Sequence, residues 1–229
     1  MRRCFFEVAV YDQGWQKEEM GRVTADGEEV VFDEGTPSSP RDIFDLVSQV
    51  LGEQRKAIVS FVSDGKDSLQ TGTFPESFEL IEIKSMYHDE IILRISIELL
   101  NQMSELVGQL KAYQGNVLSV PWSEVFKQMD QFIAKIQPFA DLVDNVAPYV
   151  QSYSPPWGDQ FTTIAQDQAN CLNIILKSFE IRHPAALSNC LESDLIPLCE
   201  STHSLFGNEV IPYLKDYLKS INHNWSNDA

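Results

Sequence analysis

The sequence predicts an α+β fold, in which a small head of strands and one helix precedes a larger body made only of helices. Up to about residues 84–89, apolar residues come in short runs separated by Asp-Gly and Pro-Ser turns. Beyond that point they recur at helical spacing almost to the C-terminus. A chain of 229 residues is long enough for two small domains. We therefore expect a head at residues 1–88, a helical body at 89–221 and a flexible polar tail at 222–229.

Short apolar runs in the head predict four strands. The first run alternates apolar and other residues with a period of two, and a turn signal at Asp26-Gly27 separates it from the second. The third run is nearly all apolar, which is typical of a central strand with little exposure. The strands are predicted at residues 4–10, 29–32, 57–62 and 78–83.

One helix of the head is marked at both its start and its buried face. Ser39 suits an N-cap, Pro40 suits the first helical position, and Asp42 complements the positive end of the helix dipole. Apolar residues then follow at helical spacing, which predicts a single buried stripe. That stripe consists of Ile43, Leu46, Val47, Val50 and Leu51.

The element order β-β-α-β-β, with one helix packed across a mixed sheet, resembles the β-grasp (ubiquitin-like) fold. Modifiers and sulfur carriers of that family end in Gly-Gly, whereas the last strand here continues through Lys84-Ser85-Met86 into more protein. The resemblance therefore implies a docking surface rather than conjugation or sulfur transfer. Residues 58–62 are apolar on both faces of their strand, so the second face of the sheet is expected to need cover from the body or a partner chain.

The body is predicted to be an antiparallel bundle of helices joined by short connections. Its first helix covers about residues 92–113, although its beginning, residues 91–97, could instead be a strand. Pro121 opens a second helix, whose apolar stripe includes Phe126 and Ile133. Prolines are expected to kink or break this helix and a later one, and a loop is expected at 151–159. The prolines are Pro138, Pro148 and Pro197, and the further helices are predicted at residues 161–179, from Pro184 onward, and at 208–221.

Two passages of the body resemble uncharacterised bacterial proteins that join a ubiquitin-like head to helical repeats. One is residues 106–115, which end in Lys-Ala-Tyr-Gln-Gly, and the other is the segment Leu-Glu-Ser-Asp-Leu-Ile-Pro-Leu-Cys-Glu at 191–200. The resemblance implies a bacterial cytosolic protein and carries no known activity.

Charge and cysteine usage limit the classes of partner and the compartment. The chain has 34 acidic and 17 basic residues, a net charge of −17 spread over both halves, so nucleic acid and anionic membranes are not expected partners. The acidity indicates either solubility or attraction of a basic protein. There is no apolar stretch long enough for a signal peptide or a membrane span, so the protein is expected in the cytoplasm. Cys4, Cys171, Cys190 and Cys199 are scattered in apolar surroundings, which predicts reduced core thiols.

No motif in the sequence predicts a catalytic, cofactor or metal site. Cys199 and His203 are four residues apart, but no Cys-x-x-Cys or His-Glu-x-x-His accompanies them, and Cys190 would lie on the opposite side of an unbroken helix. Asp64-Gly65-Lys66-Asp67 lacks the ligand pattern of a calcium loop and is typical of a turn. Gly-x-Ser-x-Gly and glycine-rich phosphate loops are absent from the sequence.

These observations favour a non-catalytic protein–protein interaction module, such as an adaptor, a scaffold or a subunit of an assembly. An acidic export or assembly chaperone that holds a client on a helical groove is the alternative. An enzyme whose site is assembled from distant residues is the third hypothesis. A homodimer is expected because the second face of the sheet and the apolar stripe of residues 92–113 offer more apolar surface than one small bundle needs.

Overall fold

A computed structural model describes residues 21–33 and 35–221 of the chain. The fold is mixed α+β, as the sequence predicts, with one small sheet in the N-terminal region followed by helices. The chain divides into two compact units, Met1–His88 and Asp89–Ala229. The strand predicted at residues 4–10 and the tail predicted at 222–229 lie outside the described residues.

The N-terminal unit contains a mixed sheet of five strands. They are β1 (Arg22–Ala25), β2 (Glu28–Glu29), β3 (Lys56–Ser63), β4 (Lys66–Asp67) and β5 (Leu80–Tyr87). In space they follow the order β2-β1-β5-β3-β4. The pair β1 and β5 is parallel, and the other neighbouring pairs are antiparallel. The sequence prediction missed β1, whose four residues are too few to show a clear period.

Helix α1 (Pro40–Glu53) covers one face of this sheet and closes the core of the unit. The predicted start is confirmed with Ser39 as the N-cap residue and Pro40 at the first position, although the Ser39 side chain makes no capping hydrogen bond. Phe61 of β3 is fully buried and contacts Phe44 and Phe74 through ring edges. The other buried apolar residues of this core are Val23, Ala25, Ile43, Val47, Leu51, Ile81 and Ile83.

The opposite face of the sheet is largely polar, which differs from the sequence expectation of two apolar faces. A register shift between Ile58 and Ser60 removes Val59 from the regular alternation, and the Val59 side chain is 41% exposed. Neighbouring strands then place polar residues opposite one another on this face. The pairs are Thr24 with Glu82 and Ser60 with Lys84.

The second unit consists of helices. They are α3 (His88–Val117), α4 (Trp122–Lys127), α5 (Met129–Tyr153), α6 (Gly158–Glu180), α7 (Pro184–Cys190), α8 (Ile196–Leu205) and α9 (Ile211–Ser220). A short helix α2 (Ser68–Thr71) belongs to the first unit. The segment 91–97 is helical, so the strand alternative is wrong. The apolar stripe of α3 is buried within the chain, and it therefore does not offer the free surface on which the homodimer expectation partly rested.

Contacts at both ends of the helices establish the antiparallel order. Tyr113 near the end of α3 stacks on Phe132 near the start of α5, with ring centroids 4.8 Å apart. At the other ends of the same helices, the Tyr149 hydroxyl donates a hydrogen bond of 2.7 Å to the buried carboxylate of Asp89. The Gln168 side chain of α6 donates a hydrogen bond of 2.7 Å to the backbone carbonyl of Phe139 in α5, so a buried amide also fixes α6 against α5.

The prolines do not break the helices at the predicted places. Helix α5 continues through both Pro138 and Pro148. The chain is also helical without interruption from residue 184 to residue 220, because two π-helical segments, Leu191–Leu195 and Phe206–Val210, connect α7, α8 and α9. The disturbance predicted at Pro197 is a π-helical turn and not a break. The final helix predicted at 208–221 corresponds to α9, which is continuous with the helices before it.

Each π-helical segment directly precedes an Ile-Pro pair, and the two form a repeat of 15 residues. The repeated sequences are Asp-Leu-Ile-Pro at 194–197 and Glu-Val-Ile-Pro at 209–212. The amides of Ile196 and Ile211 bond to the carbonyls of Leu191 and Phe206, five residues earlier. Proline has no amide hydrogen and its ring clashes with the carbonyl four residues earlier in an α-helix, so a wider turn before it removes the conflict.

The π-helical segments also keep the buried side chains of this long helix on one side. The interval between the buried residues Leu187 and Leu218 would cover about 8.6 turns of an ideal α-helix. The buried side chains between these two residues recur once per turn over about eight turns. In an ideal α-helix this difference would rotate the two ends of the buried stripe away from each other. Each π turn takes up one additional residue, and two such residues restore about eight turns.

Among the residues that the structure describes, five other than glycine have positive φ angles, and they end or connect elements. Asp26 and Asp64 are in strand turns, and short polar side chains tolerate this region. The other three follow the ends of helices. They are Arg55 with φ of 60°, Ser154 with φ of 43° and Arg182 with φ of 55°.

Candidate functional site

Aromatic side chains form a packed layer at the end of the helical unit where α3 ends, α4 and α5 begin and α6 ends. Phe132 of α5 is buried and stacks on Tyr113 of α3. Phe179 of α6 contacts both Phe132, at 6.3 Å between ring centroids, and Trp122 of α4, at 5.6 Å. These contacts hold the four helices together at this end, since aromatic pairs add to the stabilisation that burial provides.

Large apolar side chains are exposed around this aromatic layer, and we call them the distal apolar surface. An exposed leucine, isoleucine or phenylalanine is unremarkable when it stands alone, but a group at one end of a bundle is a common feature of binding surfaces. The members and their exposed fractions are Leu118 63%, Phe126 51%, Ile133 45%, Leu176 58% and Ile181 67%.

Helix geometry and the ring contacts place these side chains at the same end of the unit. Phe126 near the end of α4 and Ile133 near the start of α5 each follow a buried residue, Val125 and Phe132 respectively. Leu176 precedes Phe179 by three residues, one turn of α6, and Phe179 contacts Phe132. The exposed residues of α5 and α6 therefore flank the same aromatic contact.

The charge near the distal apolar surface differs from that of the whole chain. Residues 118–136 and 172–183 hold four basic and three acidic side chains, a local net charge of +1, whereas the whole chain carries −17. Electrostatic repulsion of an uncharged or mildly acidic surface is therefore weaker here than on the average surface of this protein. The charged residues are Lys127, Lys135, Lys177, Arg182, Glu124, Asp130 and Glu180.

Tyr113, beneath this surface, makes stability depend on pH at alkaline values. Burial raises the pKa of the Tyr113 phenol from its ordinary 10.0 to about 12. A folded-state pKa above the unfolded value means that the contribution is complete below pH 10 and is lost as the pH rises towards 12. We predict that Tyr113→Phe unfolds in urea with a weaker alkaline loss of unfolding free energy than the wild type. An identical pH dependence for both proteins would contradict this assignment.

Three buried cysteines lie in the core of the helical unit. Cys171, Cys190 and Cys199 are free thiols, in agreement with the predicted core positions, while Cys4 lies outside the described residues. The Sγ atoms of Cys171 in α6 and Cys190 in α7 are 3.4 Å apart. Cys190 Sγ also lies 3.7 Å from the backbone carbonyl oxygen of Cys171. Burial raises the pKa of the Cys199 thiol to about 12, so this thiol stays protonated and unreactive at neutral pH.

The residues weighed as metal ligands in the sequence are not brought together as a site. Cys199 is buried and His203 is exposed, and Nδ1 of His183 accepts a hydrogen bond of 2.9 Å from the Ala186 amide at the start of α7. Within residues 21–33 and 35–221, no group of three His, Cys, Asp or Glu side chains is arranged to hold a metal ion.

The aspartates of the 64–67 turn have structural partners. The Asp64 carboxylate accepts hydrogen bonds from the amides of Glu79 and Leu80, at 3.0 and 2.8 Å. Asp67 caps α2 by accepting from the amides of Leu69 and Gln70. These backbone bonds explain why two acids occupy this turn, and the turn reading of the sequence agrees with them.

Two grooves lie between the helices. One, of about 200 Å³, runs between α3 and α5 and is lined by Met103 and Phe139 among others. The larger, of about 380 Å³, lies between α6 and the part of the long helix around its second π segment. Its carboxylates are Asp167 and Glu209, and Gln160 donates a hydrogen bond of 3.1 Å to Glu209 across the groove. Hydroxyl, amide and carboxylate groups share its lining with Ile164, Leu198 and Leu205.

The distal apolar surface and the cysteine pair were both missed by sequence reasoning, although each left a signal. The predicted stripe of the second helix contains the adjacent pairs 125–126 and 132–133. Adjacent residues on a helix point about 100° apart, so one side chain of each pair is expected to be exposed. Cys171 and Cys190 lie at similar distances on either side of the turn at residues 181–183. An antiparallel hairpin would bring such residues face to face.

Comparison with known proteins gave no matching family model, no matching curated protein and no matching solved structure. In the part of the chain that the structure describes, no helix combines the length and the apolar character that crossing a membrane requires.

Proposed function

We propose that this chain is a non-catalytic protein–protein interaction module of the cytosol, and that its distal apolar surface binds an apolar segment of another protein. The observation that carries the proposal is the group of five exposed apolar side chains around one packed aromatic layer. Keeping such side chains in water is unfavourable by about 25 cal/mol for each Å² of apolar area. A partner that covers them gains this free energy on binding.

The aromatic layer beneath the surface supports a binding role. Phe126 and Ile133 each stand beside a buried neighbour, Val125 and Phe132 respectively, so their backbone positions are fixed by the core. A rigid apolar anchor loses little conformational entropy when a partner binds, which is a general feature of residues that dominate binding energy.

The local charge guides the choice of partner. A net charge of +1 near the surface, in a chain of −17, favours a segment that is apolar on one side and neutral or acidic at its flanks. An amphipathic helix laid between α5 and α6 would satisfy both conditions, because its apolar face would meet Phe126, Ile133 and Leu176. A basic partner would instead be attracted to the remaining, acidic surface of the chain.

We further propose that the N-terminal unit is a β-grasp domain that serves as a second docking surface. The strand order β2-β1-β5-β3-β4, the parallel pairing of β1 with β5 and the single helix α1 before β3 support this assignment. The polar face formed by Thr24, Ser60, Glu82 and Lys84 is suited to specific contacts rather than to a permanent apolar interface.

The experiment is a pulldown with the full chain and with Phe126→Ser and Ile133→Ser variants, analysed by quantitative mass spectrometry. We predict that one stoichiometric partner is retained by the wild type and is retained at least about tenfold less by either variant. The loss of a dominant apolar anchor costs about 2 kcal/mol or more of binding free energy, and about 1.4 kcal/mol is already tenfold. Val31→Ser, at a 58% exposed apolar residue of the N-terminal unit, is the matched control and should retain the partner.

Other results would redirect the assignment. Equal retention by all variants would contradict the distal apolar surface as the binding site. Recovery of many unrelated unfolded proteins, each lost in the variants, would favour the chaperone alternative. A wild type that light scattering shows as a dimer and Phe126→Ser as a monomer would identify the partner as a second copy of this chain.

A further inference from the structure

The cysteine pair in the core of the helical unit faces across the hairpin that α6 and α7 form. Cys171 and Cys190 are 2% and 1% exposed, and their Sγ atoms are 3.4 Å apart. That separation is a direct sulfur–sulfur contact with no other group between the two atoms. Nothing in the proposed binding role requires two thiols in this arrangement.

We propose that Cys171 and Cys190 form a modification site, in which a small hydroperoxide converts the two thiols into a reversible intramolecular disulfide. The proposal goes beyond the binding function and does not depend on it. The bond would join α6 to α7 and link residues on either side of the turn at 181–183.

The geometry requires only a small movement. A disulfide needs a sulfur–sulfur distance of about 2.05 Å, and the two sulfur atoms are already at 3.4 Å on facing helices. Rotation of the two side chains can supply most of the difference. Cys190 is the last residue of α7, immediately before the π-helical segment Leu191–Leu195. The Cys190 thiol is therefore attached where the helix changes from α to π geometry.

The electrostatic surroundings assign different roles to the two thiols. The hydrogen bond with Cys171 lowers the pKa of Cys190 and raises that of Cys171, and burial raises the Cys171 value further. Of the two thiols, Cys190 is therefore the one that loses its proton more readily. Burial and Asp194 oppose a negative charge on either thiol, and Cys199 also opposes one on Cys171.

The chemistry proceeds in two balanced steps. The Cys190 thiolate attacks one oxygen of the hydroperoxide, the O–O bond breaks, and the products are Cys190 sulfenic acid and an alcohol, or water for hydrogen peroxide, after proton uptake. Cys171 then loses its proton and attacks the Cys190 sulfur. The S–S bond forms and the hydroxyl leaves as water. One hydroperoxide is reduced as two thiols are oxidised, and local opening of the hairpin gives this small oxidant access.

The test uses the full chain treated with hydrogen peroxide, followed by alkylation of the remaining thiols and peptide mapping by mass spectrometry. We expect a peptide pair linked through Cys171 and Cys190, reversed by dithiothreitol, with Cys199 still available for alkylation after unfolding. Cys199 is the internal control, since it is equally buried. Cys171 and Cys190 both remaining alkylatable, or a disulfide that includes Cys199 or a second chain, would overturn the proposal.

A second measurement separates the roles of the two thiols. In Cys171→Ser the sulfenic acid has no partner thiol, so a dimedone probe should label Cys190, and labelling should fall at least about tenfold in the double variant Cys171→Ser/Cys190→Ser. Circular dichroism confirms that each variant is folded before treatment. Dimedone labelling of Cys199 instead of Cys190 would overturn the assignment of Cys190 as the attacking thiol. Peptide mapping of the oxidised wild-type protein tests the disulfide itself, whether or not a variant folds.

Discussion

Deleting Asn208 is expected to destabilise the helical unit by about 3 kcal/mol or more, because Pro212 would then stand inside an ordinary α-helix. Most of this loss should be recovered in a protein that combines the deletion with Pro212→Ala. Asn208 is exposed and lies in the π-helical segment Phe206–Val210, so its removal takes away the additional residue of that turn and no core side chain. The free energy of unfolding in urea, followed by helical circular dichroism, measures both effects.

The expected recovery follows from the two consequences of the π turn. Removing one residue turns the segment into a regular α-helix without changing which side chains face the core, since the additional residue is what the wide turn takes up. The remaining cost is the clash between the proline ring and the preceding turn, which alanine does not have. Asn208→Ala is the control for the lost side chain, including its hydrogen bond to Ser204, and should change stability by no more than about 0.5 kcal/mol.

A double variant as unstable as the single deletion would show that the π turn has a different purpose. In that case the wide turn would be needed for the packing of Phe206 or Val210 and not for the proline. The first segment, with Pro197, offers an independent repetition of the experiment through deletion of Ser193, an exposed residue.

Replacing Phe61 by alanine is expected to cost the N-terminal unit about 3–5 kcal/mol, which is the usual range for a buried phenylalanine. Phe61 is fully buried, and its ring lies 5.6 Å from Phe44 and 5.4 Å from Phe74. The substitution removes the ring contacts of β3 with Phe44 of α1 and with Phe74, and the cavity it leaves is enclosed by side chains that are already packed.

Hydrogen exchange of the amides in β3 and β5, read by mass spectrometry, measures this loss within the N-terminal unit. A cost of this size corresponds to exchange faster by at least about a hundredfold in both strands. Val59→Ala is the matched control, because Val59 lies on the same strand and is 41% exposed, and its exchange should change by less than about tenfold. Equal acceleration in both variants would show that the aromatic group does not hold this sheet together.

The elements that the sequence predicts well are those with a strong local signal. Helix α1 has a cap residue, a proline at its start and a clean apolar stripe, and its start at Pro40 agrees with the prediction. The long apolar run of β3 and the turn after it were predicted for the same reason. Strand β1 was missed, because four residues gain their strand conformation from pairing with β5 and not from their own period.

The prolines of the body show where local rules fail. Pro138 and Pro148 were expected to end or kink a helix, yet α5 contains both. Pro197 and Pro212 are tolerated through a change of helical turn that leaves no mark in composition. The sequence does contain a signal, the repeated pattern of an acid, an aliphatic residue, Ile and Pro. This pattern predicts a wide turn only if the buried stripe is known to span about eight turns. The packing of neighbouring helices defines that stripe.

The candidate site was less predictable than the fold. Phe126 and Ile133 were placed in the stripe of the second helix, and half or nearly half of each side chain is exposed. Periodicity identifies apolar positions but does not say how much of a wide stripe the neighbouring helices cover, because that depends on their crossing and spacing. The contact between Cys171 and Cys190 likewise depends on how α6 and α7 are aligned along each other. Neither cysteine determines that alignment.

The turns at Arg55, Ser154 and Arg182 leave this chain short of the stability that its fold allows. Each holds a side chain in the left-handed region, at a cost of about 1 kcal/mol that glycine would not incur. A chain selected for maximal rigidity would have replaced them. A protein with glycine at these three positions is therefore expected to be more stable than the wild type. It would tolerate destabilising substitutions at the binding surface and in the core, so more variants could be purified and compared.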